Sequence, residues 1–234
     1  MKNMKTKVVV LSGSGLSAES GLSTFRGAGG LWEGYDVTDV ASPEGWAKDK
    51  EMVLRFYNER RKQLGEVTPN AAHLALVDLE KKYDVQIVTQ NVDDLHERAG
   101  STNILHLHGE LRKVRSTADP SIIYDIGYKE LNLGDKCEKG SQLRPHVVWF
   151  GEFVPEIQNA AAISATADIF IVVGTSLVVY PAAGLINYVP DEAMKYVIDP
   201  VKPDTYGFVS NLEFIQEKAT VGLPKLVEEL MKSL

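Results

Sequence analysis

Short apolar runs rich in β-branched residues recur along the chain and predict buried strands. They lie at residues 8–11, 85–89, 104–107, 147–150, 169–173 and 196–198. Apolar residues at helical spacing predict helices between these runs, at 51–64, 70–82, 92–99, 156–166, 181–188 and 223–232. Strands that alternate with helices in this way are typical of an α/β fold with a parallel sheet and helices on both faces.

Individual residues predict where two of these helices begin or end. Thr68 and Pro69 predict the start of the helix at 70–82, with the threonine as N-cap and the proline at the first helical position. Gly100 predicts the end of the helix at 92–99. In a sheet of this kind ligands bind beyond the carboxyl ends of the strands, so the segments that follow the strands are candidate binding loops.

Two regions interrupt the alternation. Residues 27–66 read as a glycine-rich loop and a helix with no strand between them. Residues 111–145 contain two short apolar runs, at 121–124 and 128–133, which predict short strands of a small inserted module. The length of 234 residues fits one large domain that carries such an insertion.

Composition narrows the class of protein. The net charge of −7 argues against a nucleic-acid-binding face and weakly favours basic partners. No apolar run approaches the roughly 20 residues of a membrane span, so we expect no membrane anchor and no signal peptide. Cys137 is the single cysteine, which excludes an internal disulfide and suits a reducing compartment, so we expect a cytoplasmic protein.

A glycine-rich turn follows the first predicted strand. Gly13, Gly15 and Ala18 form a Gly-x-Gly-x-x-Ala pattern, in which the first glycine permits a tight turn and the second lets backbone approach a pyrophosphate. Such turns also end many strands that bind no ligand. A dehydrogenase would continue with a second strand and an acidic residue about 20 positions on. The glycine-rich segment 27–30 stands there instead, which disfavours hydride transfer.

Polar residues follow two further strands. Gln90, Asn91 and Asp93 come directly after the strand at 85–89. Asn91 or Asp93 could simply cap the next helix, but capping leaves Gln90 unexplained. His106 and His108 end the following strand, and we expect their side chains to point to opposite sides. A histidine at a strand end suits a general base because its pKa lies near neutrality.

Four segments of the chain together resemble the sirtuins, NAD-consuming protein lysine deacylases. The first is Ser-Gly-Ser-Gly-Leu-Ser-Ala-Glu-Ser-Gly at 12–21 followed by Thr24-Phe25-Arg26, which departs from the family at Ser14, Leu16 and Ser23. The others are Thr-Gln-Asn-x-Asp at 89–93, the run 144–155, and Gly-Thr-Ser at 174–176. The resemblance implies one domain over 1–234, with a Rossmann-like core from about 1–26, 67–110 and 146–234. Residues 27–66 and 111–145 would form the small module.

The resemblance also implies roles for individual residues. His108 would be the base, Asn91 and Asp93 would position nicotinamide and its ribose, Phe25 would shield the ribose, and Arg26 would steady the phosphates. NAD would contact Gly13, Ser14, Gly15, Ser17, Ala18, Glu19, Thr24, Phe25, Arg26, Trp32, Gln90, Asn91, Asp93, Gly174, Thr175, Ser176, Asp199 and Ala219. An acylated peptide would contact Ala41, Tyr57, Arg60, Val148, Phe150, Gly151, Glu152, Val178 and Val179. Asp199 stands where the family usually carries asparagine, yet its carboxylate can still accept from ribose hydroxyls.

The small module departs from the family. Sirtuins normally carry two Cys-x-x-Cys pairs there around a structural zinc, whereas this chain has Cys137 alone, and His146 could add one ligand at most. Tetrahedral zinc sites need more ligands than these two residues supply. We therefore expect no metal.

The helix at 51–64 carries an oddly placed charge. Val53, Phe56, Tyr57 and Leu64 form an apolar stripe, and Arg60 lies in its middle. The arginine head could reach water while its stem packs. However, Tyr57-x-x-Arg60, together with Ala41, resembles the acyl pocket of sirtuins that remove succinyl and malonyl groups. There the arginine and tyrosine hold the acyl carboxylate, which a guanidinium fork suits.

The resemblance therefore implies NAD-dependent removal of succinyl, malonyl and acetyl groups from protein lysines. Its products would be nicotinamide, free lysine and O-acyl-ADP-ribose. The partners would be acylated lysine segments of proteins, and we expect no nucleic acid or membrane partner and a monomer. An ADP-ribosyltransferase or NAD hydrolase using the same pocket stays open, as do a dehydrogenase and a non-catalytic NAD sensor.

Overall fold

The computed structural model describes residues 5–22, 31–32, 34–177, 179–202 and 209–232 of the chain. Its strands are β1 (Lys7–Ser12), β2 (Leu31–Trp32), β3 (Tyr35–Asp36), β4 (Asp84–Thr89), β5 (Ile104–His106), β6 (Gly109–Ser116), β7 (Ile123–Asp125), β8 (Leu143–Val147), β9 (Ile169–Val173), β10 (Met194–Ile198) and β11 (Leu212–Ile215). Its helices are α1 (Ser14–Ala18), α2 (Val37–Val40), α3 (Pro43–Lys48), α4 (Lys50–Glu66), α5 (Ala71–Glu80), α6 (Leu95–Ala99), α7 (Ile157–Ser164), α8 (Ala219–Lys232) and a 3-10 helix (Ala182–Tyr188).

The larger sheet has six parallel strands in the order β11-β10-β9-β1-β4-β5. Its central strand β1 is buried on both faces, because Val8 and Val10 pack with helices α5 and α8 while Val9 and Leu11 pack with α7 and the 3-10 helix. The predicted α/β fold, with helices on both faces of a parallel sheet, is confirmed.

The order of the strands locates the binding edge. From β1 the chain proceeds to β4 and β5 on one side of the sheet, and later to β9, β10 and β11 on the other. The order therefore reverses between β1 and β9, which is the position where open α/β sheets bind ligands. The glycines that follow these two strands, Gly13 and Gly174, lie at this switch point.

A second, three-stranded antiparallel sheet, in the order β7-β6-β8, forms the small module with one face of α4. Its core contains Leu54, Val114, Leu131, Cys137 and Leu143. Within the described ranges, no group of three or more His, Cys, Asp or Glu side chains could hold a metal ion. The sequence boundaries of core and module stay a prediction.

Three expectations about this part of the chain are wrong. Residues 128–133 form no strand, because Asn58 on α4 bonds both the N–H and the carbonyl of Leu131, at 2.9 and 3.0 Å. The strand placed at 147–150 ends at Val147 and belongs to the smaller sheet, since the next backbone groups bond residues outside it. Segment 27–66 is not free of strands, because β2 and β3 pair there as a short hairpin.

The predicted helix start at Thr68 and Pro69 is also wrong. Helix α5 begins at Ala71, and Asn70 is its N-cap. The Asn70 side chain accepts from the N–H of Ala72 at 3.0 Å, and His73 completes a capping box. Gly100 ends α6 as predicted, in the left-handed conformation that glycine favours, with φ 111°. None of the helices in the described ranges is both long and apolar enough to cross a membrane.

Candidate active site

A cavity of about 410 Å³ opens at the carboxyl ends of β1, β4 and β9 and extends to α4. Its volume lies in the range of small-molecule sites. It is lined by many of the predicted site residues, namely Gly13, Ser14, Gly15, Ser17, Ala41, Tyr57, Arg60, Gln90, Asn91, Asp93, His108, Val148, Phe150, Gly151, Glu152, Gly174, Thr175, Ser176, Val179 and Asp199. The cofactor and substrate residues of the prediction thus share one continuous space.

The other predicted residues lie elsewhere. Ala18, Glu19 and Ala219 do not line the cavity. The Glu19 carboxylate accepts instead from the hydroxyl of Thr220 at 2.6 Å, which ties the end of α1 to the start of α8 beside the buried Ala219. The predicted contacts Thr24, Phe25, Arg26 and Val178 lie outside the described residues, as does the side chain of Trp32.

Glycines bring two strand exits together at the cavity floor. The N–H of Gly15 donates to the carbonyl of Gly174 at 2.8 Å. A Cβ on Gly13 would lie 2.7 Å from the Gly174 carbonyl oxygen, and one on Gly15 would lie 2.9 Å from the Gly174 Cα. Larger residues would therefore force β1 and β9 apart, in addition to filling space that a pyrophosphate would need.

The carboxamide and carboxylate after β4 are linked through a serine of α1. Asn91 Nδ2 donates to the carbonyl of Gly13 and to Ser17 Oγ, both at 3.1 Å, and Ser17 Oγ donates to Asp93 Oδ2 at 2.9 Å. Asp93 Oδ1 also accepts from the N–H of Leu95, the first residue of α6, but the N-cap of that helix is Asp94, so the capping role considered for Asp93 from the sequence is wrong. Burial raises the pKa of Asp93 to about 6, although the hydrogen bonds lower it.

The His108 side chain is hydrogen-bonded to the backbone of Gln90. The Nδ1–H of His108 donates to the carbonyl of Gln90 at 3.0 Å, which fixes the tautomer because a carbonyl can only accept. Burial lowers the pKa of His108, and the Gln90 carbonyl opposes this only partly. Near neutral pH the ring is therefore uncharged and keeps a lone pair on Nε2, as a general base requires. The Gln90 side chain donates to Thr175 Oγ1 at 3.2 Å, which links the exits of β4 and β9.

His106 contacts other groups than His108 does, although the two rings are not separated by the strand geometry that we expected. Its Nδ1 donates to the carbonyl of Asn91 at 3.1 Å and its Nε2 to Glu97 at 2.7 Å. Burial alone would lower the pKa of His106, but Glu97 raises it overall. Residues two apart in a regular strand share a face, so the expectation of opposite sides was wrong in principle. The two rings separate because β5 ends at His106 and the chain then turns.

The far end of the cavity is formed by α4. Tyr57 is fully buried, as are the other members of its stripe, and Arg60 lines the cavity one turn further along. The Arg60 guanidinium lies 5.5 Å from the centroid of the Phe56 ring. The Tyr57 oxygen accepts from the indole Nε1–H of Trp149 at 2.9 Å, and burial raises the pKa of Tyr57 far above its usual value. Ala41 lines the same cavity and is also buried.

Sequence reasoning missed Arg61, the fully buried arginine of α4. Its Nε donates to the carbonyl of Leu111 at 2.8 Å, and it also donates to Asn58 Oδ1. Burial lowers the pKa of Arg61 to about 10. The sequence spacing could have indicated that Arg61 is buried, since Arg61 follows Tyr57 by one helical turn and so shares its face. Arg60 faces the cavity, whereas Arg61 binds the small module.

The segment after β8 contains an ion-pair cluster. Glu152 accepts from Arg144 at 2.6 and 3.2 Å, from Arg115 at 3.2 Å, and from the N–H of Trp149 at 2.8 Å. Burial alone would raise the pKa of the Glu152 carboxyl, but Arg144 and these hydrogen bonds hold it below its usual value. The carboxylate predicted to meet substrate is thus engaged within the chain. Gly151 beside it has a φ of 86°, which favours glycine.

Comparison with known proteins adds independent evidence. Residues 13–181 match the Sir2 family. Over 232 residues the chain is 53% identical to an NAD-dependent protein deacylase of Helicobacter pylori, covering 99% of this chain and 97% of that protein. Over 239 residues it is 52% identical to an NAD-dependent protein deacylase of Bacteroides thetaiotaomicron, covering 99% of each chain.

Solved structures agree with this match. A Sir2 homologue in complex with NAD superposes with a TM-score of 0.85 at 39% identity, covering 98% of this chain and 91% of the other. A mutant Sir2 homologue bound to ADP-ribose gives a TM-score of 0.88 at 39% identity, with coverage of 98% and 93%. A Sir2 complex with a deacetylated p53 peptide and 3'-O-acetyl ADP-ribose gives 0.79 at 27% identity, with coverage of 99% and 94%.

Proposed function

The chain belongs to the Sir2 family, and from this premise we propose that it removes succinyl and malonyl groups, as well as acetyl groups, from lysines of proteins. It is an NAD-dependent protein-lysine deacylase, because relatives about half identical over nearly the whole chain carry that activity in their names. NAD is the co-substrate, as the NAD and ADP-ribose complexes of its structural neighbours support.

One observation carries the choice of acyl group. Tyr57 and Arg60 lie one turn apart on the cavity wall, and the Tyr57 hydroxyl proton has no acceptor among the residues that the structure describes. An acyl carboxylate placed between them would accept from both. Charge-assisted hydrogen bonds of this kind contribute about 1.5–3 kcal/mol each. Ala41 presents only a methyl group to the same cavity, which leaves room for the longer acyl chain.

The opposite end of the cavity fits the cofactor. Bound NAD supplies the ADP-ribosyl group that accepts the acyl group while nicotinamide leaves. Backbone and short side chains at 13–17 and 174–176 would hold the phosphates and a ribose, and Asp199 would accept from ribose hydroxyls. Asn91 and Asp93 would hold nicotinamide and its ribose, with Gln90 beside them. The predicted contacts of Ala18, Glu19, Thr24, Phe25, Arg26, Trp32 and Ala219 belong to the same proposal.

His108 would act as the base of the reaction. Its neutral ring carries the proton on Nδ1, where the Gln90 carbonyl accepts it, so Nε2 can take a proton from a ribose hydroxyl. A charged ring could not do this. The lowered pKa therefore keeps the residue competent at neutral pH.

The substrate would be an acylated lysine within an extended protein segment. Such a segment would lie between Gly151 and Glu152 on one side and residues 178–179 on the other, and would pair with them as an added strand. Val148 and Phe150 would flank its lysine. Phe150 is 46% exposed and so is accessible to a peptide.

Mass spectrometry of one peptide sequence with succinyl-, malonyl-, acetyl- or unmodified lysine, incubated with NAD, tests the proposal. We expect free lysine, nicotinamide and O-acyl-ADP-ribose, formed efficiently from the succinyl and malonyl peptides. Turnover of the acetyl peptide alone would contradict the proposed acyl preference. ADP-ribosylated unmodified peptide, or NAD loss without any peptide, would instead favour a transferase or a hydrolase.

A further inference from the structure

We propose that Trp149 is a positioning residue that directs the Tyr57 hydroxyl proton toward the acyl group, and so helps to select acyl groups that carry a carboxylate. The inference rests on the proposed function, because it concerns how the same pocket recognises succinyl and malonyl groups. Trp149 was not among the residues predicted from the sequence. It lines the cavity and is 2% exposed.

The hydrogen bond between the two side chains has only one possible direction. An indole has one N–H donor and no acceptor, whereas a phenol oxygen can both accept and donate. Trp149 Nε1 therefore donates to the Tyr57 oxygen across 2.9 Å. With one lone-pair position taken by the indole, the Tyr57 proton must point away from Trp149.

This leaves the Tyr57 proton as an unused donor. Among the residues that the structure describes, none offers it an acceptor, although Tyr57 is completely buried. A buried donor without an acceptor is unfavourable, and a ligand oxygen in the cavity would relieve that cost. An acyl carboxylate supplies such an oxygen at the end of its chain, whereas an acetyl group ends in a methyl. The arrangement thus distinguishes the two acyl classes.

The ionisation state of Tyr57 agrees with a donor role. Burial raises the pKa of Tyr57 far above its usual value, so the hydroxyl keeps its proton over the working pH range. An ionised phenol would repel a carboxylate, but a neutral one donates to it.

Trp149 is itself held firmly. The Arg144 guanidinium lies 3.3 Å from the centroid of its ring, and Glu152 binds both Arg144 and the backbone N–H of Trp149. The Trp46 ring packs against it at a centroid distance of 5.7 Å. These contacts fix the plane of the indole and hence the direction of its N–H. Because Glu152 lies beside the proposed peptide-binding edge, one cluster supports both that edge and the acyl end of the cavity.

The variant Trp149→Phe removes the N–H and keeps an aromatic ring. We expect the ratio of kcat/KM for a succinyl peptide to that for the matching acetyl peptide to fall about threefold to tenfold, as for loss of one neutral hydrogen bond. The loss should appear mainly as a higher KM for the succinyl peptide. Tyr83→Phe is the matched control, because it removes a buried aromatic hydrogen bond, from the Tyr83 hydroxyl to the Leu230 carbonyl, outside the cavity, and it should leave the ratio unchanged.

A double-mutant cycle tests whether Trp149 acts through Tyr57. In a Tyr57→Phe background the proton is already absent, so Trp149→Phe should change the ratio by less than about twofold. An equal loss for both peptides, or full additivity of the two substitutions, would show that Trp149 only fills space and would overturn the inference. A wild-type enzyme that does not remove succinyl groups would instead refute the proposed function, and the inference with it.

A spectroscopic measurement on the wild-type enzyme does not depend on the folding of Trp149→Phe. The chain has three tryptophans, so substitution of the other two assigns the indole N–H resonance of Trp149 in ¹⁵N-labelled protein. Donation from Tyr57 to a carboxylate strengthens the Tyr57 oxygen as an acceptor. The Trp149 resonance should therefore move downfield with a succinyl peptide and much less with an acetyl peptide. The same shift with both peptides would overturn the inference.

Discussion

The cavity has two ends that are built in different ways. At the cofactor end, backbone groups and short polar side chains meet where parallel strands stop, and Asn91, Ser17 and Asp93 form a chain of hydrogen bonds there. At the acyl end, long side chains from separate segments converge, and the contact between Tyr57 and Trp149 spans 92 positions of sequence. In the proposed function the first end would serve steps common to every acyl substrate, whereas the second would distinguish among substrates. Variants at the two ends should therefore give different patterns of loss.

The largest effect should come from His108 at the cofactor end. His108→Ala should reduce turnover by about 10²–10⁴, the usual range for loss of a general base. The reduction should be similar for succinyl and acetyl peptides, because the base acts after either acyl group is in place. NAD affinity, measured by calorimetry, should change much less.

His106→Ala is the matched control for this experiment. The His106 ring binds Glu97 and the Asn91 carbonyl and does not line the cavity, so its loss should be comparatively mild. Equal losses at the two histidines would contradict the assignment of His108 as the base. A loss confined to one acyl class would break the division between the two ends.

The pH dependence of the reaction offers a second test of the cofactor end. Because burial raises the pKa of Asp93 to about 6, its carboxylate form is lost as the pH falls through that value. If the ionised form holds nicotinamide, kcat/KM should fall about tenfold per pH unit below that pKa, equally for succinyl and acetyl peptides. An Asp93→Asn enzyme should lack this step in its pH profile. A profile that differs between the two peptides would place the titrating group at the acyl end.

Acid should also weaken the fold beneath the cofactor end. Burial lowers the pKa of His73 to about 4, and its ring lies 5.1 Å from that of His96, which bonds Ser12. Between pH 6.5 and 4 the unfolded chain holds more protons at this residue than the folded chain, so stability falls with the pH. The loss from His73 should be on the order of 2–3 kcal/mol.

Urea unfolding at pH 6.5, 5.5 and 4.5 measures this loss. The variant His73→Gln cannot titrate, so its free energy of unfolding should fall less over the same interval than that of the wild type. Parallel curves for the two proteins would contradict the assignment of the acid sensitivity to His73.

The contrast between the two ends also explains how far the sequence could predict this molecule. Strands such as β1 and β9 are almost fully buried, so apolar runs of β-branched residues specify them locally. The polar residues that directly follow these strands could also be picked out from the sequence, because their position after a predicted strand marks them as candidates. The strand predicted at 128–133 does not form, because Asn58, which is distant in sequence, bonds backbone groups that a strand would need.

The acyl end was harder to predict because its contacts depend on the tertiary fold. Arg60 and Arg61 both fall near the apolar stripe of α4, and only the fold shows that Arg60 lines the cavity while Arg61 bonds the Leu111 carbonyl. The sequence around Trp149 does not indicate which side chain its indole N–H bonds. The family resemblance indicated Tyr57 and Arg60, but the hydrogen bond from Trp149 to Tyr57 could be identified only from the structure.

The most direct test of the account is the effect of Arg60→Met on two peptides that differ only in their acyl group. Loss of a charge-assisted hydrogen bond predicts that kcat/KM for the succinyl peptide falls tenfold to a hundredfold or more. Turnover of the acetyl peptide should fall far less, since it presents no carboxylate. Arg55→Met, at an exposed position of the same helix outside the cavity, is the control and should affect neither. Equal losses on both peptides after Arg60→Met would show that Arg60 is structural and would contradict the proposed acyl preference.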